Sequence, residues 1–202
     1  MVPRLALGPR DPGRQPDLRR ARSLTADLTS APVPPIGDAD HVRGEGPEAI
    51  LYLDLGCPHC AAAWLEISGL SLRLCVRHFP IASKHKRAPA LHAAAEAAGR
   101  QEESAFWAMV DSVYADQGRQ DDPHLWRRAT DLGLDLERFE LDRRSAEVEA
   151  RVRRDFESGL RAGVVATPAA FLGGSPVAAA NIAAELSRDR SETRPPPKAA
   201  GR

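Results

Sequence analysis

Two cysteines separated by two residues, Cys57 and Cys60 in "YLDLGCPHCAAAW", are the side chains here best suited to chemistry. At that spacing a pair can hold a metal, staple a loop, or trade electrons with another protein's thiols. In exchange the thiolate reacts, not the thiol, so the question is what would steady an anion at this point. The apolar run "AILYLDL", residues 49 to 55, ends at Gly56 and reads as a buried strand, and "AAAWLEISGL" after the motif has helical composition. Pro58 would take the first helical position, where its missing N–H costs nothing and its fixed φ helps. Cys57 then falls at a helix N-terminus, where unpaired N–H groups and the macrodipole favour negative charge. Cys60 lies one turn on, on the same side, and His59 between them would stabilise the anion further. Cys57 is thus the candidate nucleophile and Cys60 the residue that resolves the mixed disulfide.

The metal alternative is poorly supported. A structural zinc site usually needs four ligands, commonly a second Cys-x-x-Cys or a closely spaced His pair, and neither is present. Cys75 and His78 could be conscripted, but a strand setting makes them packing residues more simply. Three cysteines in all are too few for a stapled secreted scaffold. In a reducing cytosol a Cys-x-x-Cys pair is catalytic or metal-binding more often than structural.

The elements that must position the pair follow from the rest of the chain. Residues 71 to 79, "SLRLCVRHF", alternate as a second strand closed by Pro80. Helices are expected over 89 to 99, over 104 to 117 with Phe106, Met109, Val110 and Val113 on one face, and from an Asp122 N-cap to Gly133. A short helical turn at 135 to 141 and a long helix near 144 to 162 come next. A Thr167-Pro168 corner, strands at 169 to 172 and near 176, and a last helix complete a βαβ, helical insert, ββα order. A cis bond at Thr167-Pro168 would stop strand pairing and leave the Thr167 backbone free for a substrate strand.

Of the 202 residues, the first 41 carry seven prolines and no sustained apolar period. They and residues 188 to 202 read as disordered tails around one domain at 42 to 187, with the helical insert at about 85 to 160. Lys plus Arg and Asp plus Glu both total 28, so no global field favours nucleic acid or a membrane surface. No apolar run reaches the ~18 residues of a membrane span, and "LAL" at 5 to 7 is far short of the ~7–15-residue apolar region of a secretory signal. A cytoplasmic protein without a membrane partner is the expectation.

Taken together, "CPHC", "RHFPI" at 77 to 81, "AAAEAAGRQEESAFWAMVDSVYADQ", "GLDLERFELD", "SGLRAGVVATPAAFLGG" and the lead-in "DHVRGEGPEA" resemble the DsbA-type branch of the thioredoxin superfamily. The likeness runs in continuous order over roughly residues 40 to 187. It implies an α/β thioredoxin-like fold with an inserted helical subdomain and thiol-disulfide oxidoreductase activity on protein substrates. Cys57 matches the family's nucleophile and Cys60 its resolving cysteine. Pro58 and His59 match the dipeptide that tunes the thiol, Thr167 and Pro168 the cis-proline substrate loop, and Asp54 an acidic residue three before the motif, a proton-relay candidate. The disulfide itself would be the redox centre, with no other cofactor, and glutathione or a thioredoxin-type reductase would recharge it. The chain departs from the pattern at Leu51, where many relatives carry Glu. It departs again at Leu55-Gly56, where an aromatic is usual, and this is expected to leave Cys57 more exposed. Two alternatives use the same fold: a peptide-binding module without redox cycling, and a glutathione-dependent isomerase or transferase. An intact CPHC argues against the first, and relatives of the second usually carry Ser near the site.

Overall fold

A computed structural model describes residues 31–185, so the expectations for 1–30 and for 186–202 lie outside the described residues. β2 (Glu48–Leu53) and β3 (Arg73–His78) pair in parallel, from Glu48 opposite Arg73 to Leu53 opposite His78. Parallel neighbours need a crossover, and α1 (Pro58–Ile67) supplies it. β1 (His41–Arg43) pairs antiparallel with β3, β4 (Ala169–Leu172) antiparallel with β2, and β5 (Ser175–Val177) antiparallel with β4. The sheet order β1-β3-β2-β4-β5 puts β2 at the centre. Its residues Ala49 to Leu53 are all buried, which is why they read as an unbroken apolar run rather than an alternating one.

Five helices fill the chain between β3 and β4: α2 (Ala88–Gly99), α3 (Glu103–Ala115), α4 (Asp122–Asp131), α5 (Leu136–Arg143) and α6 (Ala146–Arg161). This is the inserted subdomain, on a thioredoxin-like α/β frame. After β5 comes a 3₁₀ turn at Ala179–Asn181 that leads into helical residues up to 185.

The sheet separates two apolar clusters. Leu51, Leu53, Leu74 and Val76 face α1 and the insert, meeting Trp64, Leu91, Phe106 and Met109. Ile50, Tyr52, Cys75 and Phe79 face the other way, toward Ala162, Val164 and Phe171. α6 closes this second face at very short range. A methyl group on Gly159 would lie 2.8 Å from the Phe79 ring and 2.9 Å from that of Tyr52.

Two expectations need correction. Residues 33 to 40, read as part of a tail, pack onto the body: Val33 is buried, and the Pro34 and Pro35 carbonyls accept hydrogen bonds from Arg77 at 2.8 and 2.9 Å. Backbone carbonyls bonded to a distant arginine leave no periodicity to read. The cap of α4 is Asp121 rather than Asp122; its carboxylate accepts from the His124 N–H at 3.2 Å, the N3 position. With proline at N2 there is no N–H to cap there.

Candidate active site

α1 begins as its sequence dictates. Cys57 is the N-cap in an extended conformation, Pro58 follows it, and the first helical bond runs from the Ala61 N–H to the Cys57 carbonyl at 3.1 Å. Cys60 lies one turn on, fully buried against the sheet. Both cysteines are free thiols. Pro58 and His59 occupy the exposed outer side of the same turn. The distant Thr167-Pro168 peptide is cis, and the Thr167 carbonyl lies 3.8 Å from Cys57 Sγ, in reach of a weak S–H···O contact. Residues 110 apart in the chain thus meet at Cys57.

The two thiols differ in setting. Cys60 Sγ accepts the Asp54 peptide N–H at 3.4 Å. Burial pushes its pKa up from 9.0 to about 12, helped by Cys57 and opposed by the Asp54 N–H and Thr167. That shift makes its thiolate harder to form by on the order of 4 kcal/mol. Cys75 is pushed to about 12 as well, by burial first and then by Asp40. It sits mid-strand on the opposite face and serves as a small core residue.

The loop before Cys57 is held almost atom by atom. Asp54 is fully buried, and its carboxylate accepts from the Gly56 and Ile81 N–H groups, both at 2.8 Å. Burial works to raise its pKa, but hydrogen bonds from the Ile81 and Gly56 N–H groups help hold the carboxyl below its usual range. The Leu55 N–H donates to His92 Nε2 at 3.0 Å. The Tyr114 hydroxyl donates to the Asp54 carbonyl at 3.3 Å; burial raises its pKa well above 10, so it stays a donor. The Gln117 amide reaches the Cys57 and Leu55 carbonyls at 3.1 and 3.4 Å. Gly56 is required by contact, since a methyl group there would lie 2.8 Å from the His85 side chain.

That close approach overturns one expectation. Leu55 is buried and Gly56 is covered by His85, so Leu55-Gly56 does not open the site: Cys57 is only 4 % exposed. At the other departure, Leu51 is fully buried in the core, with no carboxylate there to move a proton. His92, Tyr114 and Gln117 were not singled out by their sequence context. The available signal for one of them is His92 and Glu96, polar residues four apart inside an alanine-rich helix that buries both. Trp107 is more than insert core: it stacks on Trp64 of α1, with ring centres 6.3 Å apart, and Arg43 lies over both rings.

His41, His78 and Glu96 bring three ligand atoms within 4.8 Å of one another. The arrangement suits proton sharing better than a cation. His41 Nε2 and His78 Nε2 lie 2.9 and 2.6 Å from the same Glu96 oxygen, and the Arg151 guanidinium approaches that oxygen at 3.6 Å.

The chain belongs to the thioredoxin family, whose model, described as Thioredoxin, matches residues 41–188. Its fold is that of DsbA-type thiol-disulfide oxidoreductases. The thiol-disulfide exchange protein alpha-DsbA2 from Wolbachia pipientis aligns with a TM-score of 0.67 at 18% identity, over 88% of this chain and 94% of that one. BdbD from Bacillus subtilis gives 0.68 at 13%, covering 81% and 97%, and a thioredoxin-like oxidoreductase from Silicibacter pomeroyi gives 0.66 at 23%, covering 77% and 94%. By sequence the chain is 39% identical over 160 residues to a protein named Na(+)/H(+) antiporter NhaA of Herminiimonas arsenicoxydans. It is 37% identical over 175 residues to NhaA 1 of Salinispora arenicola. These matches cover 74% and 80% of this chain, so they take in the Cys57–Cys60 segment, but the chain spans only about a quarter of either relative (25% and 26%). Among the described residues no helix is long and apolar enough to cross a membrane.

Proposed function

We propose that this chain is a thiol-disulfide oxidoreductase that exchanges disulfides with protein substrates through Cys57 and Cys60. One observation carries the reading: a thiol at a helix N-cap stands beside the Thr167 backbone, with a second, fully buried thiol one turn behind it. As a reductant, the Cys57 thiolate attacks a client disulfide, forming Cys57–S–S–client while the other client sulfur leaves as a thiolate and takes a proton from water. Cys60 then gives up its proton, its sulfur bonds to Cys57 Sγ, and the second client sulfur departs with the electron pair of the broken bond. Two electrons pass from the pair to the client, and the reverse sequence oxidises a client dithiol.

Each remaining site residue has a part in this reading. Pro58 fixes the turn that holds Cys57 at the α1 N-terminus, and the exposed His59 lies on the outer side of that turn. Thr167 and Pro168 offer the client strand a backbone edge beside the nucleophile. The Asp54 peptide N–H meets the Cys60 sulfur as it loses its proton, which passes to the departing client thiolate, while the Asp54 carboxylate, bonded to the Gly56 and Ile81 N–H groups, holds the loop in place. Recharging by glutathione or a thioredoxin-type reductase, in a cytosolic setting, completes the cycle without another cofactor. Ion transport, in the name of the sequence relatives, is not carried over to this chain.

Insulin reduction with purified protein tests the assignment. Cys57→Ser is expected to abolish turnover, and Cys60→Ser to trap clients as a mixed disulfide on Cys57. Full turnover by Cys57→Ser would sink the proposal. Equal client capture by a variant lacking both cysteines would favour the peptide-binding module instead.

A further inference from the structure

His92 is buried in α2 and meets the loop at Leu55, two residues before Cys57. A peptide N–H can only donate, so the 3.0 Å contact from Leu55 requires a lone pair on His92 Nε2. A neutral ring then carries its proton on Nδ1, which lies 2.6 Å from His78 Nδ1. His78 must accept there, so its own proton is on Nε2, facing Glu96 Oε1 at 2.6 Å. Glu96 is a carboxylate; burial opposes its charge, but His41 and His78 overcome that and hold its pKa below the usual range. At the far end His41 bonds Glu96 at 2.9 Å and Glu103, on the surface, at 2.9 Å. The direction of every hydrogen bond from Leu55 to Glu96 is therefore set.

Reversing that order would matter at the redox site. A proton on His92 Nε2 would set two N–H groups against each other, two residues before Cys57, and leave the Leu55 N–H buried without an acceptor. The other charged or titratable groups near the two rings are Asp54, whose carboxylate is 3.9 Å from His92 Nε2, and Asp155, which accepts the His78 peptide N–H at 3.1 Å. Arg151 faces Glu96 and Asp155. None of them can replace the missing lone pair: the two carboxylates are engaged by N–H groups, and the guanidinium is a donor only.

We propose that His92 is a positioning residue of the exchange site, its Nε2 lone pair holding the Leu55 N–H while His78 and Glu96 fix the tautomer that keeps it there. The inference rests on the exchange function proposed above. A held loop keeps the Cys57 sulfur within bonding distance of Cys60, and a loosened loop lowers their effective concentration and disfavours the intramolecular disulfide.

The test compares wild type, His92→Leu and His92→Gln, each equilibrated with glutathione redox buffers, together with imidazole ¹⁵N spectra of the wild type. Gln can turn its carbonyl toward Leu55, whereas Leu cannot. The expected result is a shift of about tenfold toward the dithiol in His92→Leu, the size of effect when a buried donor loses its acceptor. His92→Gln should stay within about twofold of wild type, and the spectra should show His92 unprotonated at Nε2 and protonated at Nδ1. A proton on Nε2 overturns the proposal even if His92→Leu fails to fold. So do equal shifts in the two variants, or no shift in either. Wild-type protein that forms no Cys57–Cys60 disulfide in any buffer fails the exchange function itself, a result separate from these.

Discussion

Arg77 and His78 are neighbours in β3 and serve opposite faces of the sheet in opposite ways. Arg77 makes a closed ionic knot. Its five N–H groups meet Asp40 twice, the Pro34 and Pro35 carbonyls and the Tyr52 hydroxyl, at 2.8 to 3.2 Å. Every donor is used, and both charges are fixed across ordinary pH. His78 sits in a pair of neutral rings ended by a carboxylate, where each ring holds its proton on one nitrogen and offers a lone pair on the other. The first cluster ties residues 34 to 40 to the sheet; the second ends at the loop that carries the nucleophile. Buried polar groups thus anchor a segment when their charges are permanent, and order a site's hydrogen bonds when they are neutral and held in one tautomer.

The sharpest break in this contrast is Arg77→Leu. It would strand the buried Asp40 carboxylate and two carbonyls, and is expected to cost about 3–5 kcal/mol in urea unfolding. The glutathione equilibrium of the thiol pair should stay within about twofold; a larger shift would mean that the knot reaches the active site. Gly159→Ala tests whether the Arg77 face is as rigid in packing as in charge. Its methyl would press on Phe79 and Tyr52, and a loss of about 1–3 kcal/mol is expected by the same measurement. An unchanged midpoint would show that α6 can lift.

Acidification should give the smallest effect and separates the two sides by pH. Burial, above all, lowers the pKa of both His78 and His92 from the ordinary 6.5, despite Glu96 beside the one and Asp54 beside the other. Below about 6.5 the unfolded chain takes protons that these folded rings refuse, so their stabilisation is lost as pH falls toward their folded values. His41 runs the other way. Burial lowers its pKa, but Glu96 and Glu103 outweigh this and raise it, so its contribution is full below 6.5 and is lost as pH climbs through its folded value. Burial opposes the Asp40 charge as well, yet Arg77 keeps its pKa below 3.8, and the knot weakens only under more acid conditions than that. Unfolding free energies from urea titrations should therefore decline from pH 7 to 5 by an amount on the order of 1 kcal/mol, and His78→Phe should flatten the slope. A wild-type midpoint that does not move would erase the distinction.

Much of this was legible in the residues because it is local. Pro58 after Cys57, the apolar run before Gly56 and the Thr167-Pro168 corner each specify backbone geometry within a few positions. The strand at 169 to 172 falls as its pattern predicts. What could not be read depends on partners far along the chain. β1 is three residues long, and residues 33 to 40 are held by Arg77 rather than by any period of their own. His92 lies in an alanine-rich helix with Glu96 four residues on, and its role depends on Leu55, 37 positions earlier. Gln117 lies beyond the last turn of its helix, and its two carbonyl partners flank Gly56.

Besides the bonds from its own Asp54 carboxylate and from Cys60, the loop in front of Cys57 takes side-chain hydrogen bonds from His92 in α2, Tyr114 in α3 and Gln117 just after it, all within the insert. The redox loop and the helical subdomain therefore form a single cooperative unit for local opening. A fluctuation that frays α2 or α3 takes away the loop's partners at once, and the thiol pair is as ordered as the helices above it. Trimming the insert to reach a minimal thioredoxin would strip this backbone of the bonds from His92, Tyr114 and Gln117. In this chain the added helices complete the loop that leads into Cys57.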